Sequence, residues 1–569
     1  MKLLVFPVLA WSFALLASSL ASAAIVEHTF NIENKIVKRM CHEQVIVAAN
    51  GLYPGPTIHV TEGDTVIIHL LNNSPYNITL HWHGIYQLFT SWADGVEYVT
   101  QCGIHPGHKF TYKYKVIGQE GTLFWHAHSF ALRATLHGAF IIHPRNGRYP
   151  FPKPYHQVPI ILGDWYDTNF LDALEGALVS GGVAVSNAYT INGFPGDLFN
   201  CSQNETFKMK VKHGKTYLLR IINAALNNNL FFKIADHKLT VVAADASYTK
   251  PYVTDIIILA AGQTLDVLFK ADQPTGSYYM AASPYGVGMP PPLFDRTMTR
   301  GIVVYDGHNT RASPPVMPLL PPFFDTPTSF KLFSNLSSLV GGPHWVPVPL
   351  NVDEQMFITV GIGLEKFPVN AKCVGPLNQK FSANMNNESF MLPKGKGNSM
   401  LEASYYNVSG VYTTDFPDNP PMVFDYTNTN LTFNMSLVYS PKSTKVKKFK
   451  FNSTVEIVFQ NTGVLKAQSH PIHVHGHSFH VLAQGFGNYD ADRDKAKFNL
   501  VNPQFRNTVA VPAGGWAVIR FQANNPGVWF VHCHVDDHQV WGLGTAFVVE
   551  NGPTPETSLP PPPADLPKC

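Results

Sequence analysis

Short runs in which apolar and polar residues alternate recur along the chain, and each follows a glycine turn. Three of these runs are GDTVIIHLLN (63–72), GKTYLLRIIN (214–223) and GGWAVIRFQA (514–523). A period of about two residues places successive side chains on opposite faces of a β-strand. Proline and glycine, with 44 and 42 residues, interrupt the chain throughout, and long helical periodicity is scarce. The pattern predicts an all-β protein built from several sandwich-like units.

An internal repeat links the two ends of the chain. The segment GTLFWHAHSFALRATLHGAF (121–140) aligns with GVWFVHCHVDDHQVWGLGTAF (527–547), and each contains two histidines separated by one residue. In both segments a glycine follows twelve residues after the first histidine, Gly138 in one and Gly544 in the other. The middle of the chain, about 155–305, shares the glycine-strand pattern but has no such histidine pair. We therefore predict three β-domains, of which the first and the last carry the chemistry.

Shifts in composition place the boundaries between these domains. Lys2, the apolar run 3–20 and the small residues 21–23 are typical of a signal peptide. A membrane anchor is disfavoured, because the run is short and no stop-transfer charge cluster follows it. The passage SPPVMPLLPPFFDTP (313–327) and the Asn-rich region after it predict a linker or surface excursion. The expected division is a signal peptide (1–23), a first domain (24–150), a second domain (151–310), a Pro/Asn-rich linker and excursion (311–410) and a third domain (411–569).

The charge balance excludes two classes of partner. Charged residues make up 14% of the chain and the formal net charge is +2, so we expect no binding to nucleic acid and none to a membrane surface. Ten Asn-X-Ser/Thr sequons indicate an N-glycosylated, secreted protein, although any one of them can be a chance match. Their asparagines are Asn72, Asn77, Asn200, Asn204, Asn335, Asn387, Asn407, Asn430, Asn434 and Asn452.

Six cysteines are present in this chain, which we expect to fold in an oxidising compartment. They are Cys41, Cys102, Cys201, Cys373, Cys533 and Cys569. Oxidising conditions favour disulfides among some of them, but the sequence alone does not fix the pairing. The ending SLPPPPADLPKC predicts an extended tail that Cys569 ties down.

Many histidines occur in pairs separated by one residue. Four such pairs lie in the motifs HWHG, FWHAH, HPIHVHGH and FVHCH, and they are His81 and His83, His126 and His128, His473 and His475, and His532 and His534. On a strand, residues i and i+2 point to the same face roughly 6.5 to 7 Å apart, so each pair can present two imidazoles to neighbouring metal ions. One pair alone is more often two ordinary hydrogen-bonded histidines. Four pairs, in segments related by an internal repeat, indicate a metal centre.

The histidine set has too many donors for one structural zinc ion, which takes four ligands. Two or three copper ions fit better, because imidazole suits copper and a multi-electron reaction needs several redox ions. Cys533 lies between His532 and His534, so its side chain faces the other side of the strand. With His538 a short loop away and His470 from another strand, it forms the His₂Cys set of a blue-copper electron-transfer centre. The alternative, a disulfide at Cys533, is disfavoured by the two flanking histidines.

Eight motifs follow one another along the chain: HWHG, SWADG, WHAH, HPIHVHGHSF, RNTVAVPAGGW, NPGVWFVHCH, WGLGTAFVVENG and LPPPPADLP. With this set the sequence resembles the multicopper oxidases, and most of all the plant laccases, over essentially the whole mature chain. The resemblance implies three consecutive cupredoxin-like Greek-key β-sandwich domains, with copper ligands in the first and the third. It also implies disulfides Cys41–Cys201 and Cys102–Cys569, with Cys373 left free.

The resemblance further implies four copper ions. The type 1 copper would be held by His470, Cys533 and His538, and the type 2 copper by His81 and His473. The two type 3 ions would take the other six histidines, which are His83, His126 and His534 for one ion and His128, His475 and His532 for the other. His477 has no copper role in the family and is expected to be structural.

The reaction is implied in the same way. A phenolic substrate gives up one electron at the type 1 copper through the exposed edge of His538, and the electron passes through Cys533 into both flanking histidines. Four such oxidations reduce dioxygen to two waters. Because this reduction consumes protons, a carboxylate near the cluster is expected to carry them. Asp94 of SWADG is the first candidate and Asp536 the second, with an ordinary turn aspartate as the alternative for Asp536.

Leu543 helps to distinguish a laccase from other multicopper oxidases. It stands ten residues after Cys533, where ascorbate oxidases carry an axial methionine, and a non-coordinating side chain there raises the copper potential. A higher potential suits phenols, so laccase is preferred to ascorbate oxidase or ferroxidase. A non-catalytic copper-binding cell-wall protein is a further alternative, but relatives of that kind lack several ligands. We expect a monomeric protein secreted to the extracellular space, in the apoplast or cell wall.

Departures from the plant laccase pattern concern the substrate side. Asp537 and Gln539 flank the last type 1 histidine, where apolar or different residues are more usual, and Tyr86, Phe89 and Gly103 stand around SWADG. None of them is a ligand. The resemblance therefore implies the type of reaction more firmly than the identity of the phenolic substrate, which could be a lignin precursor or a flavonoid.

Overall fold

The structure is a computed structural model that describes residues 23–286, 294–309, 313–367, 373–431, 434–465 and 467–569. The expected signal peptide (1–23) lies outside the described residues except for Ala23. Within these ranges no helix combines the length and the apolar character that a membrane crossing requires.

The first domain is a sandwich of two four-stranded sheets. Its strands are β1 (Ile25–Arg39), β2 (His42–Ala49), β3 (Ile58–Thr61), β4 (Thr65–Asn72), β5 (Leu80–His83), β6 (Lys109–Lys115), β7 (Gly121–Ala127) and β8 (His137–His143), with 3-10 turns at Ser91–Ala93 and Phe130–Ala134. The strand orders are β2-β1-β4-β6 and β3-β8-β7-β5, so neighbours in a sheet are often distant in sequence. Phe30, Trp82 and Trp125 are fully buried in the core of this domain.

The second domain is a larger sandwich of a six-stranded and a five-stranded sheet. Its elements are β9 (His156–Trp165), α1 (Phe170–Ser180), β10 (Ala188–Ile191), β11 (Lys208–Val211), β12 (Thr216–Asn223), β13 (Asn229–Ile234), β14 (Leu239–Ala244), β15 (Ser247–Thr254), β16 (Ile257–Leu259), β17 (Thr264–Lys270), β18 (Ser277–Tyr285) and β19 (Thr299–Tyr305). The strand orders are β10-β9-β12-β17-β14-β15 and β11-β19-β18-β13-β16. Helix α2 (Thr326–Asn335) follows, with Asp325 as its N-cap.

The third domain again pairs a six-stranded with a five-stranded sheet. Its elements are β20 (Glu354–Glu365), β21 (Lys380–Met385), β22 (Ser389–Phe390), α3 (Met400–Tyr406), α4 (Met435–Val438), β23 (Lys442–Ser443), β24 (Lys447–Phe449), β25 (Ser453–Asn461), β26 (His470–Val474), β27 (Phe479–Phe486), α5 (Ala491–Asp494), β28 (Gln504–Arg506), β29 (Thr508–Val511), β30 (Gly515–Ala523), β31 (Gly527–Cys533), α6 (Asp536–Val540) and β32 (Gly544–Val549). Further 3-10 turns lie at Pro376–Asn378, Lys495–Lys497 and Pro555–Thr557. The strand orders are β21-β20-β25-β30-β27-β28 and β24-β32-β31-β26-β29.

The structure corrects the expected linker over part of 311–410. Strands β20 and β21 lie in that range and belong to the larger sheet of the third domain, where β20 pairs in parallel with β25. Apolar side chains at every second position of β20 are buried in the core, and they are Met356, Ile358, Val360, Ile362 and Leu364. The flanking proline and asparagine residues have the composition of an excursion, but the two-residue period of EQMFITVGIGLE requires one face to be covered.

Both disulfides that the resemblance implies are present. Cys41–Cys201 joins the first domain to the second, and Cys102–Cys569 ties the C-terminal tail to the first domain. Among the described cysteines, Cys373 and Cys533 are free.

A buried ion pair joins the second domain to the third. Arg506 donates from Nε to Oδ2 of Asp245 and from Nη2 to Oδ1, both at 3.0 Å, and both side chains are buried. Such a two-bond pair fixes orientation as well as distance. It therefore sets how β28, and the residues that follow it, sit against the second domain.

Replacing Asp245 by Asn leaves the Arg506 charge buried without its counter-charge. We expect the free energy of unfolding to fall by about 3–5 kcal/mol, measured by urea denaturation. The control is Glu550→Gln, which removes the exposed pair between Lys448 and Glu550 (2.7 Å) and should cost less than about 1 kcal/mol. Equal losses in the two variants would show that the buried pair does not hold the domains together.

Candidate metal centre

Two antiparallel strand pairs supply the predicted histidines. In the first domain β5 pairs with β7, and His81 lies directly opposite His126. In the third domain β26 pairs with β31, and His473 lies directly opposite His532. The second histidine of each motif stands two residues further on and shares the face of the first. Ring centroids within the four motifs are 4.5–5.8 Å apart.

The eight histidines of these motifs converge on one buried volume. The rings of His83 and His473 stack at 3.9 Å, and the rings of His81 and His475 lie 4.1 Å apart, which joins the first domain to the third. Three groups have donor atoms within 4.8 Å of one another: His81, His83 and His473; His83, His126 and His534; and His128, His475 and His532. The last two are the sets that the resemblance implied for the type 3 ions.

Each ring has one nitrogen that points into this volume. Five of these nitrogens are buried without a hydrogen-bond partner, and they are Nε2 of His81, His126, His473 and His534 and Nδ1 of His83. In three of these rings the opposite nitrogen donates to a backbone carbonyl: Nδ1 of His81 to Asp94 O at 2.8 Å, Nδ1 of His126 to Ala127 O at 2.8 Å and Nδ1 of His473 to Asn507 O at 2.9 Å. An unpaired buried nitrogen costs roughly 1–3 kcal/mol. A cluster of them fits a bound metal, which would take their lone pairs.

His83 is turned relative to the other rings. Its Nε2 donates to Oδ1 of Asn507 at 3.1 Å and lies 3.2 Å from Oγ1 of Thr508, so Nδ1 faces the cluster. Sequence reasoning missed both partners, although they stand in RNTVAVPAGGW. The available signal was a short polar pair, Asn507 and Thr508, at the start of an otherwise apolar strand.

Electrostatics keep these rings in the form that binds metals. Burial, and then repulsion between the neighbouring rings, holds the pKa well below 6.5 for His83, His126, His128, His473, His475, His532 and His534. At pH 7 these imidazoles are neutral and each offers a lone pair.

Cys533 stands on the other face of the same strand pair. It lies opposite Ile472, and Ile472 shares its face with His470, two residues earlier. The Cys533 Sγ is 3.8 Å from Nδ1 of His470 and 3.4 Å from Nδ1 of His538, and these two nitrogens are 3.2 Å apart. Burial raises the pKa of the Cys533 thiol, so a thiolate here requires a bound cation. Three soft and borderline donors around one point fit copper.

Two carboxylates approach the histidine cluster, as the sequence predicts. Asp94 is fully buried and its Oδ2 accepts from Nδ1 of His475 at 3.0 Å. Asp536 is one step further away, because its Oδ1 lies 3.3 Å from Nη2 of Arg133. Nη1 of Arg133 in turn lies 3.2 Å from Nδ1 of His534, and its Nη2 donates to the His534 carbonyl at 3.1 Å. Sequence reasoning missed Arg133, which is a single charged residue in the apolar run FALRATL.

The sequence comparisons agree with this arrangement. Models of multicopper oxidase domains match residues 31–147, 156–308 and 415–553. The chain belongs to the multicopper oxidase family. Laccase-7 of Arabidopsis thaliana is 57% identical to this chain over 97% of both, and Laccase-24 of Oryza sativa subsp. japonica is 53% identical over 98% of both.

Two solved structures are similar along nearly the whole chain. The laccase from Botrytis aclada matches with a TM-score of 0.70 at 26% identity, over 95% of this chain and 89% of that chain. Fet3p, a multicopper oxidase that functions in iron import, matches with a TM-score of 0.69 at 23% identity, over 92% and 90%, which shows the fold alone. The expected cupredoxin-like fold is confirmed. The chain is an oxidase of the laccase type with copper as its cofactor.

His538 is buried in the oxidase, so the expectation that its edge is exposed is wrong. His538 is 2% exposed and its Nε2 donates to Oε1 of Gln468 at 2.9 Å. Short helix α6 is tied to the second domain, since Asp536 N donates to Leu226 O at 2.9 Å and Asp537 N donates to Oδ1 of Asn227 at 3.2 Å. The second domain, which has no paired histidines, therefore covers the group of His470, Cys533 and His538.

Two other residues named from the sequence have clear places. Leu543 is fully buried, its carbonyl accepts from Cys533 N at 3.0 Å, and its own N–H donates to His538 O at 2.9 Å. It is thus fixed against both Cys533 and His538. The ring of His477 packs 5.3 Å from Phe521 and 5.8 Å from Trp529, and burial lowers its pKa to about 4.

Gly262 of the second domain supports His534, and its substitution tests this contact in the oxidase. A Cβ on Gly262 would lie 2.7 Å from the His534 ring, so Gly262→Ala must displace that ring. We expect a 10–100-fold loss of copper affinity at the histidine cluster, measured by metal analysis during dialysis against a chelator. The control is Gly214→Ala, which has a similar positive φ (+77° against +86°) but no atom within 4 Å of its Cβ. Equal copper retention in the two variants would contradict the role of Gly262.

Proposed function

We propose that this chain is a secreted laccase that oxidises phenols one electron at a time at a type 1 copper and reduces dioxygen to water at a trinuclear copper cluster. The observation that carries the proposal is the strand pair β26–β31. One of its faces holds His473 and His532, the other holds His470 and Cys533. Two sites of different donor chemistry are thereby joined through a few covalent bonds.

The proposal assigns four copper ions and divides the donors among them. The type 1 ion would be held by His470, Cys533 and His538, and the type 2 ion by His81 and His473. The type 3 pair would be held by His83, His126 and His534 and by His128, His475 and His532. The free nitrogens of five of these histidines and the spacing of the groups support the assignment.

When bound, copper supplies reversible one-electron storage at each of these positions. The residues of the chain supply the connection and the surroundings. Cys533 is bonded covalently to both His532 and His534, and its carbonyl accepts from Nδ1 of His532 at 2.9 Å. The donors of both sites are buried. Asp94, which holds His475, is the carboxylate placed to pass protons to the cluster.

The phenol would meet the protein beside His538. A small cavity of about 30 Å³ lies there, lined by Asn227, Asp295, Gln468 and Asp537. This volume holds the hydroxyl end of a phenol rather than a whole ring. Leu543 in place of an axial methionine favours a high potential, and hence phenols over ascorbate.

Secretion and glycosylation complete the proposal. We place the protein in the apoplast or cell wall as a glycosylated monomer, supported by the signal-peptide pattern, the disulfides and the sequons. Nine of the ten sequon asparagines are exposed or half-buried. Asn72 is 1% exposed, and its side-chain amide donates to Tyr76 O and Ile104 O at 2.7 Å, so it is not a glycan site.

Cys533→Ser tests the type 1 assignment. Because serine does not replace the thiolate, we expect a colourless protein with one copper fewer per chain and phenol oxidation reduced to background. Visible absorption, metal analysis and oxygen uptake with a simple phenol measure these effects. Cys373→Ser, at the other free cysteine, should leave all three unchanged. Retained phenol turnover in Cys533→Ser would rule out the proposed electron path.

Asp94→Asn tests the proton carrier. We expect reoxidation of the reduced protein by dioxygen to slow 10–100-fold, because the amide keeps a contact to His475 but does not take up a proton. The blue colour and the reduction by phenol should remain. The comparison variant is Asp536→Asn, and reoxidation of both variants is measured by stopped-flow spectroscopy under the same conditions. A larger slowing in Asp536→Asn would transfer the role from Asp94 to Asp536.

A further inference from the structure

A large cavity lies where the three domains meet, apart from the small one beside His538. Its volume is about 410 Å³, within the range of roughly 300–1,000 Å³ that is usual for small-molecule sites. Residues of the first domain (Glu97), of the end of α1 (Leu178) and of the third domain (Phe381) form its walls. Of the proposed copper ligands His128 lines this cavity, whereas the type 1 donors His470, Cys533 and His538 do not.

Aromatic rings form much of the wall. Trp541 stacks on Phe381, with centroids 4.6 Å apart and an angle of 17° between the rings. Phe390 and Phe530 also line the cavity, 5.5 Å from each other. Flat apolar faces of this kind pack well against an aromatic ligand.

The charged side chains around the cavity favour an anion. Lys380, Lys394 and Lys442 line it together with Glu97 and Glu365. Lys442 and Glu365 form an ion pair at 2.7 Å, so their charges neutralise each other. In the part of the chain that the structure describes, Lys380 and Lys394 form no ion pair; their ammonium groups lie over the rings of Phe367 and Tyr98.

Glu97 offsets the excess of positive charge only in part. Burial raises the pKa of Glu97 to about 7, although the nearby Lys394 opposes the shift. In a mildly acidic medium most of this carboxyl is protonated. Lys380 and Lys394 are then unpaired cations in the lining of the cavity, with no ionised carboxyl of Glu97 beside them.

Trp541 separates this cavity from the one beside His538. It lines both, and its ring centroid lies 5.6 Å from that of His538. The described lining of the smaller cavity contains Asp295 and Asp537 but no lysine or arginine. In the described linings, lysines that can attract a carboxylate therefore lie on the side of the larger cavity.

We propose that the larger cavity binds phenols that carry a carboxylate, of about the size of a hydroxycinnamate. The ring would pack against Trp541 and Phe381, and the carboxylate would lie at Lys394 and Lys380. The inference rests on the proposed function, since a phenol bound here would pass its electron to His538 through Trp541, whose ring centroid lies 5.6 Å from that of His538. It adds a second recognition site, which selects substrates by charge.

Binding of cinnamate tests the site without turnover, because this aromatic carboxylate has no phenol hydroxyl to oxidise. Calorimetric titration of the copper-loaded protein should show binding that weakens about fivefold in Lys394→Ala, as for loss of one partly exposed ion pair. Lys394→Arg should restore it. The matched control is Lys396→Ala, an exposed lysine two residues away that does not line the cavity. No binding, or equal binding by Lys394→Ala and the wild type, would overturn the proposal.

Kinetics with ferulate and its methyl ester separate this inference from the proposed function. In Lys394→Ala we expect KM for ferulate to rise about fivefold, whereas kcat for ferulate and both constants for the ester stay unchanged. Parallel losses for acid and ester, or no change for either, would contradict a carboxylate site. If the wild type oxidised neither compound, the proposed function would fail, while the cinnamate titration would still decide whether the cavity binds aromatic carboxylates.

Discussion

Side chains alternate between the two faces of a β-strand, and in β26 and β31 this alternation places two kinds of metal site back to back. His473 and His532 lie opposite each other on one face, while Cys533 and Ile472 lie opposite each other on the other face. Because the alternation follows from backbone geometry alone, a cysteine between two histidines must point away from them. The close approach of the two sites, and the covalent link between them, depend on this constraint.

The first and second domains supply further contacts to the donor residues on these two faces. The first domain contributes a matching strand pair, whose rings stack on those of the third domain through His83 and His473. The second domain has no paired histidines, yet Gly262 packs on His534 and Leu226 receives a hydrogen bond from α6. It is therefore a structural part of both sites rather than a spacer. Its ion pair with Arg506 also positions Asn507, which holds His83 and His473.

The sequence predicts the parts of the site that follow from local periodicity. Strand alternation and the internal repeat were enough to pair the histidines and to place Cys533 on the opposite face. Contacts between distant segments could not be predicted, because no local pattern encodes them: Gln468 covers His538, and Arg133 links His534 to Asp536. Strand β20 was missed for a different reason, since its two-residue period was visible but its neighbours have the composition of a surface loop.

Burial makes the metal part of the fold as well as part of the reaction. Five imidazole nitrogens in the cluster have no partner within the described chain, and each costs roughly 1–3 kcal/mol when it is left unpaired. The stacking of His83 on His473 and of Phe530 on His532 packs the cluster closely around these nitrogens. Protonation does not remove this free-energy cost, because burial disfavours the charged rings. A bound cation removes the cost without opening the site, so metal binding and the docking of the first domain on the third must stabilise each other.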